Sequence, residues 1–577
     1  MKSANKEFLN TFFSNNLQYV VPFFQRSYVW GDTYWETLWE HIEQLVASFV
    51  AQKGDEHFLG TLITKQRESQ PLGENKYDLI DGQQRLTTFS LLIKAIANSA
   101  SGNQPYAKLK EKTNELVVFE NSKGQPFIRL EHSKIDKEYF EAVMLDNKDV
   151  SKLKNQEHGI LSCYNYFKNK LSNYTDEQLD NLKTVILNNF PVISMILSPN
   201  DDEQEIFDTI NSLGVRLTPG ELLKNFIFKD QPLQGYYETH WFEIFEEDED
   251  KIEFWNRKKT SGRIVRTNIE VLLYSYLIIK TKSEIRIEKL FIEYKNWLKT
   301  KTNQEKIDFL NELKEYASIY SNFPQGIMLN EFAFGEYEKR FFHVIKNLEI
   351  TTVYPLVLYI YKNLPLKSDI EYNLNVLESY LIRRNICSYT TKNYNKGFIQ
   401  IIRGLEDLPP VDKTSLYKIL IAFAEDTNLF PNDVEFADAF SAQAINNINA
   451  REILYCIALK QIYSGFNDRD KLSSGSFSVE HILPQKWETN WSVPGMDDLA
   501  KLNRNKKLKT LGNLTLVKGA LNSKMRNGSW IDKKKVLTQF SSLKITTDYL
   551  GLNDWDETSI HTRGQNLSKT ALDVWKR

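Results

Sequence analysis

The residues with the clearest chemical potential lie near the C-terminus, in Ser478-Val479-Glu480-His481-Ile482-Leu483-Pro484-Gln485. Leu511-Gly512-Asn513-Leu514-Thr515-Leu516 and then Asn522 follow. A histidine can deprotonate water, and the carboxylate beside it and a later amide oxygen suit a hard divalent ion set against a phosphate. His481 is therefore the candidate general base. Glu480 and Asn522 are candidate ligands for Mg²⁺ or Mn²⁺, and Asn513 is a candidate catalytic residue that fixes the loop or the histidine. Between Lys501 and Lys535 there are eleven Lys or Arg and one acid, Asp532, whereas the whole chain carries a net charge of −2. Such local concentration points to a phosphate backbone. Lys501, Arg504, Lys506, Lys507 and Lys509 are the candidate DNA contacts, placed by the pattern in a loop between two strands.

A second constellation, Asp81-Gly82-Gln83-Gln84-Arg85, lies between an apolar strand pattern and a helical one. Such a turn offers unpaired N–H groups and the positive end of a helix to an anion, and Arg85 adds a charged fork. The plainer alternative is a helix capped by Asp81 with Arg85 on the surface. Upstream, Gln25-Arg26 echoes Gln84-Arg85, and Tyr28 and Trp30 could stack on a base. No GxxxxGK[ST] P-loop occurs.

A chain of 577 residues needs several cores, roughly three or four domains of ~150 residues. Its 41% hydrophobic and 13% aromatic content is globular. Three scattered cysteines, Cys163, Cys387 and Cys456, support neither a zinc site nor a disulfide framework, which suits a cytoplasmic protein. No apolar run is long enough to span a membrane. The reading is a multidomain α+β protein. Residues 1–230 are mixed α/β, with strands at 58–64, 77–80 and 191–197 and a helix over 83–97. Residues 231–440 are helical, with long segments such as Ile264–Ile279. Residues 441–577 return to strands near Phe477 and Leu514.

Tyr19–Trp30, Leu79–Thr88 and Ile206–Gly214 through Asn225 closely resemble the N-terminal domain of the GmrSD family of modification-dependent, type IV-like restriction enzymes. Glu480–Gln485, Leu511–Leu516 and Leu521–Lys524 resemble that family's HNH-type C-terminal domain, and Tyr380–Cys387 the helix leading into it. The resemblance implies a ParB-like N-terminal domain that binds and hydrolyses a nucleoside triphosphate through Gln25, Arg26, Asp81, Gly82, Gln83, Gln84 and Arg85. It also implies a ββα-metal nuclease domain. The expected function is metal-dependent, nucleotide-regulated cleavage of foreign double-stranded DNA, modified phage DNA in particular. Two alternatives stand beside it: a nucleotide-switched DNA-binding protein without cleavage, and an RNA-directed toxin nuclease. Whether two copies pair as a homodimer is open at this stage.

Overall fold

The computed structural model describes residues 3–577 apart from 15–16, 68–75, 121–123, 147, 199–200, 202–216, 262–263, 409–411, 426 and 464–469. The Ile206–Gly214 stretch used in the family resemblance lies outside the described residues. The chain forms two compact units, Met1–Gln234 and Gly235–Arg577.

The first unit is built on a mixed six-stranded sheet. Its strands are β1 (Ser3–Phe8), β2 (Gln18–Val20), β3 (Thr61–Gln66), β4 (Lys76–Asp81), β5 (Leu130–Glu131) and β6 (Pro191–Leu197), in the order β1-β6-β3-β4-β2-β5. β6 lies antiparallel to β1 and parallel to β3, whereas β3 and β4 are antiparallel. The strand expected at 58–64 begins instead at Thr61, because Gly60 adopts φ +100°, a left-handed conformation outside strand geometry. Helix α1 (Asp32–Val50) presents Trp35, Leu38, Trp39, Ile42 and Leu45 to the core at helical spacing. Helix α2 (Gln83–Ser99) is buried almost throughout, from Leu86 to Ala97. Helix α3 (Pro219–Phe228) starts on a capping box, Thr218 and Glu221 each satisfying the other's backbone N–H, with Pro219 at its first turn.

The second unit is largely helical. The long helix expected over Ile264–Ile279 divides in two. Lys258–Ser261 (β7) and Ile264–Thr267 (β8) pair as a hairpin, and α4 (Asn268–Thr281) begins only after Thr267, which caps it. β-Branched Ile264, Val265 and Thr267 favour the strand, and a side-chain cap marks where the helix can start. Further along, α5 (Tyr354–Asn363) packs against α4. The C-terminal part pairs β9 (Phe477–His481) antiparallel with β10 (Leu514–Lys518), placing His481 opposite Leu514. Between these strands lies α6 (Asp498–Lys507), and after them come α7 (Gly519–Met525), α8 (Trp530–Phe540) and α9 (Glu557–Val574). A strand pair followed directly by a short helix is thus the scaffold of the Glu480-His481 region. Among the described residues no helix is long and apolar enough to cross a membrane.

Candidate active site and nucleotide-binding turn

In the first unit, β4 ends at Asp81 and α2 begins at Gln83. Gly82 makes the corner at φ +99°, and a Cβ there would lie 1.9 Å from Leu62 Cδ2. Both conformation and space therefore demand glycine. Arg85 reaches back over one helical turn to Asp81 Oδ2 (2.9 Å) and donates to Leu59 O (2.9 Å). Gly60 leaves room for that guanidinium, since a Cβ there would meet Arg85 Nη1 at 2.4 Å.

The two motif glutamines meet the upstream segment. Gln83 donates to Arg26 O (2.9 Å), and Gln84 donates to Ser27 O (3.2 Å) while accepting from Val29 N (2.8 Å). In return Gln25 donates to Leu79 O (2.8 Å), and Asn225, with its amide nitrogen turned toward acceptors, donates to Phe24 O (2.8 Å). The fold therefore brings Gln25, Arg26 and Asp81–Arg85 together across more than fifty residues of sequence. However, it spends the side chains of Gln25, Gln83, Gln84 and Arg85 on protein partners, where a grip on phosphate was expected. The alternative of an Asp81 cap is also set aside: no side chain caps α2, and Asp81 orients Arg85 instead. Tyr28 does not offer a stacking face. It is 5% exposed, its hydroxyl in contact with Thr88 Oγ1 (2.6 Å) and Trp35 Nε1 (2.8 Å). Trp30 stacks on Tyr34.

In the second unit, His481 ends β9 with Nδ1 3.0 Å from Leu508 O. A carbonyl can only accept, so Nδ1 carries the proton and Nε2 keeps its lone pair, which faces the amide nitrogen of Gln485 at 3.2 Å. Burial, helped by the positive charges of Lys533 and Lys509 and opposed by the bond to Leu508 O, holds the imidazole below the usual histidine range. The neutral form of His481, in a defined tautomer, is therefore favoured.

Asn513 lies in the turn just before β10 rather than within the strand, and it is fully buried. Its Oδ1 accepts from Leu483 N (2.9 Å) and Trp555 Nε1 (3.1 Å), while Nδ2 donates to Leu483 O (2.8 Å) and Leu508 O (3.0 Å). Leu508 O thus receives both His481 and Asn513. Asn513 and His481 are thus linked through this shared carbonyl. Gly512 allows the turn to approach α9, where a Cβ would lie 2.2 Å from Ile560 O. Arg563 holds the same turn by donating to the carbonyls of Leu511, Gly512 and Leu514.

Family models match this chain over residues 9–228, as the GmrSD restriction endonuclease N-terminal domain, and over residues 430–570, as the GmrSD restriction endonuclease C-terminal domain. The chain belongs to the GmrSD restriction endonuclease family. No curated protein matches it.

Within this GmrSD chain, Glu480 is 5% exposed and paired through Oε1 with Lys533 Nζ at 2.5 Å; the same ammonium donates to His481 O at 2.7 Å. Burial raises the Glu480 carboxyl and lowers the Lys533 ammonium, and the attraction between them offsets part of each effect. Lys533 is one of the eleven basic residues between Lys501 and Lys535. It is an internal counter-charge on α8, and neither charge pattern nor spacing signals that role. Glu480 Oε2 makes no hydrogen bond among the described residues. Asn522 donates to Val479 O (3.0 Å) and Ser478 Oγ (3.2 Å), and its Oδ1 is likewise without a hydrogen bond. Ser478 and Glu480 share one face of β9 by alternation, so Asn522 packs on the Glu480 face. Among the described residues no group of three or more His, Cys, Asp or Glu could hold a metal. A cation here would have a lean set of hard oxygens, one carboxylate and one amide. That fits Mg²⁺, which keeps several waters and takes one or two carboxylates with substrate phosphate.

The basic segment forms a helix where a loop was expected, and its members divide. Arg504 is buried: it pairs with Glu557, donates to Trp491 O (2.7 Å) and lies over Trp487. It is an internal strut and not a DNA contact. Lys507 donates to Ser441 O (2.7 Å). Lys501 is exposed beside Asp498. Lys506 and Lys509 are exposed, and Lys509 is close enough for its charge to act on His481.

Proposed function

We propose that this chain is a divalent-metal-dependent, nucleotide-regulated DNA endonuclease that restricts foreign, modified phage DNA. The observation that carries the nuclease reading is the state of His481: neutral, with its tautomer set by Leu508 O and its Nε2 lone pair facing the amide of exposed Gln485. Gln485 lies 3.2 Å from that lone pair, at the place a water would take to be deprotonated. Asn513 keeps the ring from turning by holding the carbonyl to which it is bound. Glu480 Oε2 and Asn522 Oδ1 would hold the ion, which when bound supplies charge stabilisation at the scissile phosphate. Lys533 keeps the Glu480 carboxylate in place, Lys509 offers positive charge near the histidine, and exposed Lys506 adds charge for the DNA backbone.

Nucleotide control is assigned to the Asp81–Arg85 turn. Its support is the helix start behind Gly82, where backbone N–H groups face the turn. The motif side chains act there as a clamp on residues 25–29, so a nucleotide that binds would do so beside a rigid, pre-formed strand-to-helix corner.

The test is incubation of the purified protein with modified phage genomic DNA, plasmid and RNA, with Mg²⁺ or Mn²⁺, with and without each nucleoside triphosphate. Phage DNA should be cut, chelation should stop it, and His481→Ala should slow it by about 10²–10⁴-fold, the usual worth of a general base. Undiminished cutting by a folded His481→Ala protein removes the histidine from this role. Preferential cutting of RNA would replace the DNA reading.

A further inference from the structure

The second unit contains a cavity of about 550 Å³ between the β7–β8 hairpin, α4 and the turn that precedes α5. It lies apart in sequence from both family-matched segments. Lys259 and Arg266 stand directly opposite each other on the hairpin and both line it, with Arg286 at the exposed rim. Val271 and Tyr274, one turn apart on α4, form an apolar wall. We infer that this cavity binds a small phosphorylated organic molecule, its phosphate at the Lys259–Arg266–Arg286 end and its apolar or aromatic body along Val271 and Tyr274.

Lys259 carries the argument furthest. Its side chain is half-buried and packed against two tyrosine rings. Among the described residues Lys259 has no ion pair; its ammonium donates to Tyr354 OH (2.8 Å) and lies 4.9 and 4.6 Å from the Tyr320 and Tyr354 ring centroids. Desolvation, with the nearby charges of Arg257 and Lys346, brings it down to about 7. Arg266 is also incompletely used. Its Nη1 donates to Val265 O (3.0 Å), and its Nε is buried without a partner. Among the described residues Arg286, Thr351 and Thr352 make no side-chain hydrogen bond or ion pair. Together these donors outnumber what the two oxygens of a carboxylate can accept, and they suit a phosphate with its additional oxygens. Glu284 and Glu288 lie at the solvent-exposed rim, where water and salt screen them; Glu288 approaches Arg266 only to 4.0 Å. The volume falls in the range of small-molecule pockets.

Pyridoxal 5′-phosphate is the probe, because it joins a phosphate to an aldehyde that condenses with a neutral amine, losing water to form an imine that borohydride traps. With Lys259 brought down to about 7, its neutral amine is far more available at pH 7 than that of a lysine titrating near 10.4. The 577-residue chain is treated, reduced and mapped by mass spectrometry, so phosphate bound elsewhere does not obscure the result. Label should concentrate on Lys259. Pyridoxal, which lacks the phosphate, should label it at least tenfold less, and inorganic pyrophosphate should protect it. Arg286→Gln, at an exposed rim position, should lower labelling severalfold at an unchanged melting temperature. Equal labelling by both aldehydes, indifference to Arg286→Gln, or an unlabelled Lys259 would overturn the proposal.

Discussion

Replacing Asn513 with Ala tests how the candidate base is held. The side chain makes four hydrogen bonds in a fully buried setting. Its loss orphans the N–H and C=O of Leu483 and the Trp555 indole N–H, while Leu508 O keeps its bond to His481. An orphaned buried group costs about 1–3 kcal/mol, so the low end for three is about 3 kcal/mol. At 1.4 kcal/mol per tenfold, local opening at Leu483 should become about 100-fold more frequent. Native-state hydrogen exchange read by mass spectrometry on peptides spanning 481–485 measures this in the full chain without requiring two-state unfolding. DNA cleavage on the same samples should fall with it, because Leu508 O loses the second donor that fixes its position. Asn513→Asp separates the two effects. It preserves the acceptor toward Leu483 N and Trp555 but sets an oxygen against Leu483 O and Leu508 O, so it should damage cleavage more than it damages protection of the Leu483 amide. Exchange at Leu483 within threefold of wild type, with cleavage intact in Asn513→Ala, would refute the positioning role.

Lys533→Met should destabilise the protein by about 3–5 kcal/mol, because it strands a buried carboxylate, and adding Glu480→Gln should recover most of that loss. Melting temperatures of the two single variants and the double variant decide it, and simple additivity would show the pair is uncoupled. Lys506→Ala with Lys509→Ala should reduce the salt dependence of DNA binding by a slope of roughly 0.9 per lost contact; a slope equal to wild type would make both lysines mere solvated surface. Gly82→Ala should cost about 2–6 kcal/mol, about 1–3 for a forced positive φ and about 1–3 for overlap with Leu62, and thermal unfolding of the full chain should show it. A wild-type melt would mean that the corner can relax.

Much of the chemistry was legible in the chain itself, because it depends on neighbours in sequence. The capping box at Thr218, the strand at 191–197 and the helix after Gly82 follow from local patterns of side-chain size, branching and hydrogen bonding. The adjacency of Glu480 and His481 at a strand end is likewise written in consecutive residues. The start of α4 was misread because apolar residues at Ile264 and Val265 fit a helical period as well as a strand, and only the Thr267 cap and the pairing with β7 decide between them. What the tertiary structure alone decided is the use to which each polar group is put. Charge in a sequence does not say whether its partner is water, DNA or another side chain. Folding brought Glu557 to Arg504 across 53 residues, which turned an expected phosphate contact into an internal counter-charge, and it brought Lys533 to Glu480 across another 53. It placed the backbone of residues 26–29 against Gln83 and Gln84, and it left Lys259 half-buried with no ion pair among the described residues. A buried polar group must find its partner wherever the fold supplies one, and that partner is set by contacts between distant segments, which no local pattern encodes.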